Sequence, residues 1–191
     1  MFALLLALLL GGIATYLITA RRYNSSASVA NSYDQWTEDR ILEFYRGEHI
    51  HLGHYGSPPR RKDFLKAKAD FVYEMVRWGG LEKLPPGTTV LDVGCGIGGS
   101  SRLLAQNYGL KVTSITISPQ QVKRAQQLMP KELDVQFKVD DALALSFPTE
   151  SFDVVWSIEA GPHMPDKALF AAELLRVLKP GCVLVVADWN Q

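Results

Sequence analysis

The sequence predicts an α/β fold: a doubly wound, mainly parallel sheet with an N-terminal transmembrane helix ahead of it. Three observations carry that prediction. Short apolar runs alternate with amphipathic helical stretches from residue 89 onward, the order that packs helices on both faces of a parallel sheet. Residues 90–100 (VLDVGCGIGGS) join a buried strand to a helix through a glycine turn, which places a ligand at the carboxyl end of that strand. The segment Phe152–Ile158 is nearly all apolar, as a central strand covered on both faces must be.

Each element has its own signal. Residues 2–20 (FALLLALLLGGIATYLITA) carry no charge. As a helix they would span roughly 28 Å at ~1.5 Å per residue, enough for a bilayer core. Arg21, Arg22 and Tyr23 follow as interface anchors, and their position after the apolar run opposes a cleaved signal peptide and puts the main domain on the cytoplasmic or stromal side. Residues 1–23 are therefore read as a membrane anchor. Residues 24–32 are small and polar and read as a linker, residues 37–47 as a helix, and GSPPRR (56–61) as a turn. Residues 62–78 place Phe64, Leu65, Phe71, Val72, Met75 and Val76 on a helical stripe that Gly79-Gly80 ends. Residues 24–86 together form a linker and helical lid, and residues 87–191 form the ligand-binding core.

Within the core, Thr89–Val93 is the first strand and Gly99–Tyr108 the first helix. Residues 111–117 form the second strand. Ser118 caps the next helix with Pro119 at its first position. Val135–Val139 and Phe152–Ile158 are the third and fourth strands. Residues 166–178 form a helix closed by Lys179-Pro180-Gly181, and residues 183–187 the fifth strand.

Composition excludes some classes. At 47% hydrophobic and 21% charged, the 191-residue chain can bury a core. Lys and Arg balance Asp and Glu at 20 each, so nothing points to nucleic acid. The two cysteines, Cys95 and Cys182, fit neither a disulfide framework nor a zinc site, which favours a reducing compartment.

The ligand is read from Asp92, which sits inside the strand just before the glycine turn. A dinucleotide brings an anionic pyrophosphate to that place, and a carboxylate would repel it. S-adenosylmethionine (SAM) brings a sulfonium and an ammonium instead, and suits an acid there. Gly94, Gly96 and Gly99 allow the tight turn and the close approach.

Several blocks resemble the class I SAM-dependent methyltransferases, whose fold is Rossmann-like: VLDVGCGIGG, the Asp141-Ala142 pair, FDVVWSIEAGPHMPDK (152–167) and LLRVLKPGCVLVVADW (174–189). Two further blocks, EHIHLGHY (48–55) and ITISPQQVKRA (115–125), are similar to the tocopherol-pathway branch. With the apolar start and SVANSYDQWTED (28–39), the pattern is most similar to the cyanobacterial 2-methyl-6-phytyl-1,4-benzoquinol methyltransferases. The resemblance implies SAM as co-substrate and no metal. It places Asp92, Gly94, Cys95 and Gly96 at the methionine end of SAM, with Asp141 accepting from the adenine amine and Ala142 beside the ring. Where the superfamily commonly has a ribose-gripping acid, this chain has Thr116 with Ser118 nearby, and a hydroxyl cannot match a bidentate carboxylate.

The implied acceptor is a membrane-resident prenyl quinol, methylated at a ring carbon, with γ-tocopherol or a sterol side chain as neighbouring choices and a non-catalytic SAM-binding module as the alternative of another class. A ring carbon becomes nucleophilic as an adjacent hydroxyl gives up its proton, so a base is useful. His163 is the first candidate and Glu159 the second. Tyr33 belongs to the expected lid, and Trp189 is a candidate contact to the acceptor ring. His49, His51 and His54 fit no common metal spacing. The resemblance also implies a further helix and two more strands, so the sheet read here is truncated after its fifth strand.

Overall fold

A computed structural model describes residues 25–189. The membrane helix expected over residues 2–20 lies outside the described residues. Among those that are described, no helix is long and apolar enough to cross a membrane.

Five strands form one parallel sheet: β1 (Thr89–Val93), β2 (Lys111–Thr116), β3 (Val135–Val139), β4 (Phe152–Ile158) and β5 (Leu178–Ala187), in the spatial order β3-β2-β1-β4-β5. The order reverses between β1 and β4, which opens a crevice at the carboxyl ends of those two strands. β1 and β4 are buried along almost their whole length, as their apolar runs require. Asp92 breaks the run on β1, in register with Ser114 on β2 and Trp156 on β4.

The helices are α1 (Ser26–Glu38), α2 (Ile41–Arg46), α3 (Phe64–Trp78), α4 (Gly99–Tyr108), α5 (Pro119–Gln127) and α6 (Lys167–Val177). Val72 and Val76 of α3 and Leu104 of α4 pack on one sheet face against Val90, Val112, Val154, Trp156 and Val185. On the other face Phe170, Leu174 and Val177 of α6 meet Leu91, Val93 and Val155. The caps follow the sequence: Asp63, Ser118 and Asp166 each accept a backbone N–H from the first turn of the helix that follows.

Three elements differ from expectation. Residues 25–32 are not linker. Ser25 and Ser28 form a reciprocal capping box, and the helix runs on to Glu38, so serines that read as flexible act as a cap. The helix expected over 37–47 is broken at Arg40, which turns left-handed at φ 52°. At the other end, β5 starts at Leu178, before the Pro180-Gly181 pair, with its register against β4 shifted between Phe152 and Val154. The Lys179-Pro180-Gly181 signal marks a bulge inside the strand, not a loop ahead of it.

Asp153 fastens the amino ends of three strands. Its carboxylate accepts from the Thr89 amide at 3.0 Å and hydroxyl at 2.5 Å, and from Lys179 Nζ at 2.7 Å. The Lys179 and Thr89 bonds hold its pKa down at about 2, against an ordinary 3.8. The folded carboxyl thus titrates below the unfolded one, and its contribution is whole above about pH 4 and lost as pH falls through about 2. In urea unfolding, the gap between wild type and Asp153→Asn is expected to stay constant from pH 7 to pH 5 and to close toward pH 2.

Candidate active site

A cavity of about 400 Å³ opens at the carboxyl ends of β1, β2 and β4. The glycine turn forms its floor. Gly94, Gly96 and Gly98 have φ of +81°, +55° and +83°, a region costly for any residue with a Cβ. A Cβ on Gly94 would come within 2.5 Å of the Ala160 Cβ. Gly99 needs no such φ. It is small for another reason: a Cβ there would lie 2.5 Å from the Glu48 carbonyl oxygen, so the lid packs directly on the start of α4.

Asp92 is 2% exposed, and its carboxylate accepts one hydrogen bond, from the Ser101 hydroxyl at 2.6 Å. Burial pushes its pKa up to about 7, against the smaller opposing effect of that hydroxyl. A buried acid so poorly compensated favours a cationic group beside it. The floor and the acid together fit SAM: a backbone that admits close approach, and a carboxylate placed for an ammonium.

The other expected SAM residues divide. Gly94, Cys95, Gly96, Thr116, Asp141 and Ala142 line the cavity. Asp141 Oδ1 accepts from the Leu143 amide and fixes its own turn, while Asp140 accepts from the Asp141 amide. Burial raises the pKa of the Cys95 thiol, which is therefore neutral. Ser118 is not in the wall. Its hydroxyl accepts from the Gln121 amide and donates to Asp34 of α1 at 2.5 Å, so it caps α5 and tethers the lid. The Thr116 hydroxyl donates to Gln121 Oε1 at 2.6 Å. Gln121 lines the cavity beside it and was missed in the sequence, where it reads as one polar helix position among several.

The roof comes from α1, α2 and the segment after them: Val29, Tyr33, Trp36, Leu42, Arg46 and residues 48–51. Long-range polar contacts hold it. Glu43 takes Arg124 in a bidentate pair at 2.8 and 2.5 Å, Glu48 takes the buried Arg102 at 2.5 Å, and Asp34 takes Ser118 and the Gln120 amide. Lys68, 1% exposed, donates to the carbonyls of Arg46 and His49. Burial lowers its pKa to about 8.

The two base candidates meet at this roof. Glu159 follows β4 with φ 55°, and its Oε1 accepts from the Leu52 amide at 3.0 Å. Burial raises its pKa. His163, in the short helical turn Gly161–His163, has its ring edge-on to Tyr33 at 5.6 Å and to Trp189 at 6.3 Å. Burial, with the Lys167 charge, lowers its pKa, so the ring is neutral near pH 7 and able to accept a proton. The structure thus lines one cavity with His163, Glu159, Tyr33 and Trp189 and with Asp92 and the glycine turn. His49, His51 and His54 do not converge on one point. The first two lie edge to face at 5.2 Å, each lowered by burial to about 4, whereas His54 faces Glu74 at 3.9 Å.

The sheet order and this cavity define a doubly wound α/β domain that binds its ligand at the strand switch point. Residues 91–186 match the methyltransferase domain family, and the chain belongs to that family. It is 73% identical to the 2-methyl-6-phytyl-1,4-hydroquinone methyltransferase of Synechocystis, over 92% of this chain and 55% of that one. It is 37% identical to the chloroplastic tocopherol O-methyltransferase of Arabidopsis thaliana, over 88% of this chain and 54% of that one. The chain therefore spans about half the length of the curated relatives it matches. Among solved structures it is similar to the [4+2]-cyclase SpnF (TM-score 0.77, 29% identity, 86% of this chain and 60% of that one). It is also similar to a putative sarcosine dimethylglycine methyltransferase from Galdieria sulphuraria (TM-score 0.73, 28% identity, 82% and 59%).

Asp92 generates a pH prediction. Its folded pKa lies above the unfolded one, so its contribution to stability is present below about pH 4 and is lost as pH rises through about 7. In chemical denaturation without ligand, Asp92→Asn is expected to be more stable than wild type at pH 8, with the gap closing toward pH 4. By calorimetry the same variant is expected to bind SAM about 10- to 100-fold more weakly, the worth of a charge-assisted hydrogen bond.

Proposed function

We propose that the protein is a SAM-dependent C-methyltransferase acting on a prenylated hydroquinone of the 2-methyl-6-phytyl-1,4-benzoquinol type, in tocopherol and plastoquinone biosynthesis. The observation that carries this reading is a cavity lined both by an acid suited to a cation and by a neutral histidine among aromatic rings. The 73% identity to the Synechocystis enzyme supports the choice of acceptor.

When bound, SAM supplies an electrophilic methyl group and takes up the electron pair of the broken bond. The chain's own residues do the rest. Asp92 takes the ammonium, the glycine turn receives the methionine end, and Asp141 and Ala142 flank the adenine. Thr116 and Gln121 offer the ribose a hydroxyl and an amide in place of an acid. His163 accepts the hydroxyl proton as the ring carbon turns nucleophilic; the methylated carbon then gives up its own hydrogen as a proton, and His163 returns the first proton to the oxygen, which restores the aromatic ring. Tyr33 and Trp189 hold the ring by its edges, and the lid excludes water. Glu159, already engaged by Leu52, positions the lid. The apolar segment 2–20 anchors the domain to the bilayer in which a phytyl quinol resides, with the domain on the cytoplasmic or stromal side.

Radiolabelled SAM offered with the phytyl quinol, γ-tocopherol and a sterol tests the reading. Transfer to a quinol ring carbon is expected, and SAM binding without transfer to any acceptor would overturn it. His163→Asn is expected to lower kcat by about 10²- to 10⁴-fold, the usual worth of a general base, with the SAM dissociation constant unchanged. Removing residues 1–24 is expected to slow transfer to bilayer-embedded quinol and to spare transfer to a short-tailed one.

A further inference from the structure

Five of the ten large hydrophobic side chains that stand exposed among the described residues come from one stretch of the lid: Phe44 at 82%, Tyr45 at 70%, Leu52 at 56%, Leu65 at 52% and Phe64 at 42%. Monomer surfaces seldom gather such side chains without a use for them. The fold brings the stretches around Phe44–Tyr45 and Phe64–Leu65 together. Lys68 donates to the Arg46 carbonyl while its ammonium lies 4.6 Å from the Phe64 ring centroid. Leu65 reaches so close to Gly47 that a Cβ there would meet it at 2.8 Å. The Phe44 and Tyr45 rings touch edge to face at 5.0 Å.

Charge says what this face meets. Residues 40–66 hold six basic side chains and three acidic ones, in a chain whose net charge is zero. Each of the three acids is committed within the protein: Glu43 to Arg124, Glu48 to Arg102, and Asp63 to the Lys66 amide as a helix cap. Arg40, Arg60 and Arg61 are exposed in the same stretch, as is Lys66, which pairs with Asp70. Aromatic and aliphatic side chains in a stretch rich in exposed arginine match the headgroup region of an anionic bilayer.

We propose that this lid face docks on an anionic lipid bilayer as a second membrane contact, separate from the apolar segment 2–20. The inner side of the same segments lines the cavity, through Leu42, Arg46 and residues 48–51. Docking therefore sets the cavity mouth at the lipid surface, where, on the acceptor reading above, the head of a prenyl quinol lies.

The test uses the full-length protein on vesicles of phosphatidylcholine with and without phosphatidylglycerol, their acyl chains brominated. A solvent-sensitive fluorophore is placed on Phe44→Cys, on Leu65→Cys and, as a control, on Leu175→Cys, an exposed residue of α6 on the other side of the sheet, each in a Cys182→Ser background. The probes at 44 and 65 are expected to brighten severalfold on matching unbrominated vesicles and to be quenched on the brominated ones, more strongly with phosphatidylglycerol, while the probe at 175 stays unquenched. The pair Phe44→Ser and Leu65→Ser is expected to lose most of the transfer to bilayer-embedded quinol and none of the transfer to a short-tailed one. Equal quenching at all three positions, or none at 44 and 65, overturns the proposal. So does brightening without vesicles together with a doubled mass, which assigns the face to a second copy of the chain. Quenching at 44 and 65 in a protein that methylates no quinol upholds this surface and overturns only the acceptor reading.

Discussion

Asp92 carries its carboxyl group into the middle of the sheet, where Ser101 offers it one hydrogen bond and water is excluded. An ionised acid in that position costs several kcal/mol unless something answers it. The fold answers only in part, and the remainder is available to a ligand. Much else follows from that position. The turn after β1 must be glycine because its φ values are positive and Ala160 and Glu48 press against it. Ser101 must lie on the first turn of α4. Residues from the amino end of the chain must roof the site so that the charge stays in a medium where it is felt.

That roof is held mostly by polar contacts and little by apolar packing. Within α1 only Val29 is buried. Exposed ion pairs contribute little to stability, but Arg102 is nearly buried and Arg124 is gripped at two points by Glu43. Contacts of this kind specify where a segment sits more than how strongly the whole protein folds. On the proposed acceptor, they suit an element that opens for the substrate and closes again in one register.

The sheet was legible in the sequence because its central strands are short apolar runs and several of its helices start at a polar cap. Ser118 and Asp166 marked their helices correctly. The Asp141-Ala142 pair was readable only through the family resemblance, but the placing of Asp92 and the glycine turn at the end of a buried strand was legible because an acid inside such a strand, or glycines in a row, has few physical explanations. Three features were not. Residues 25–32 looked like linker because serines favour caps and loops alike, and only the reciprocal bonding of Ser25 and Ser28 decides between them. Ser118 was assigned to the cavity because sequence proximity to Thr116 does not reveal that Asp34, 84 residues away, claims its hydroxyl. Gln121 was passed over because a glutamine on an amphipathic helix carries no signal until Thr116 is seen to face it.

The contacts that seat the lid join residues far apart in the chain. Glu48 waits for Arg102, 54 residues later, Glu43 for Arg124 after 81, and the Leu52 amide for Glu159 after 107. Synthesis proceeds from the amino end, so the lid is made first and placed last. The lid gains its seat in steps, and the last of these contacts waits until β4 has joined the sheet and Glu159 has emerged. The cavity is therefore closed over only after the central strands are in place.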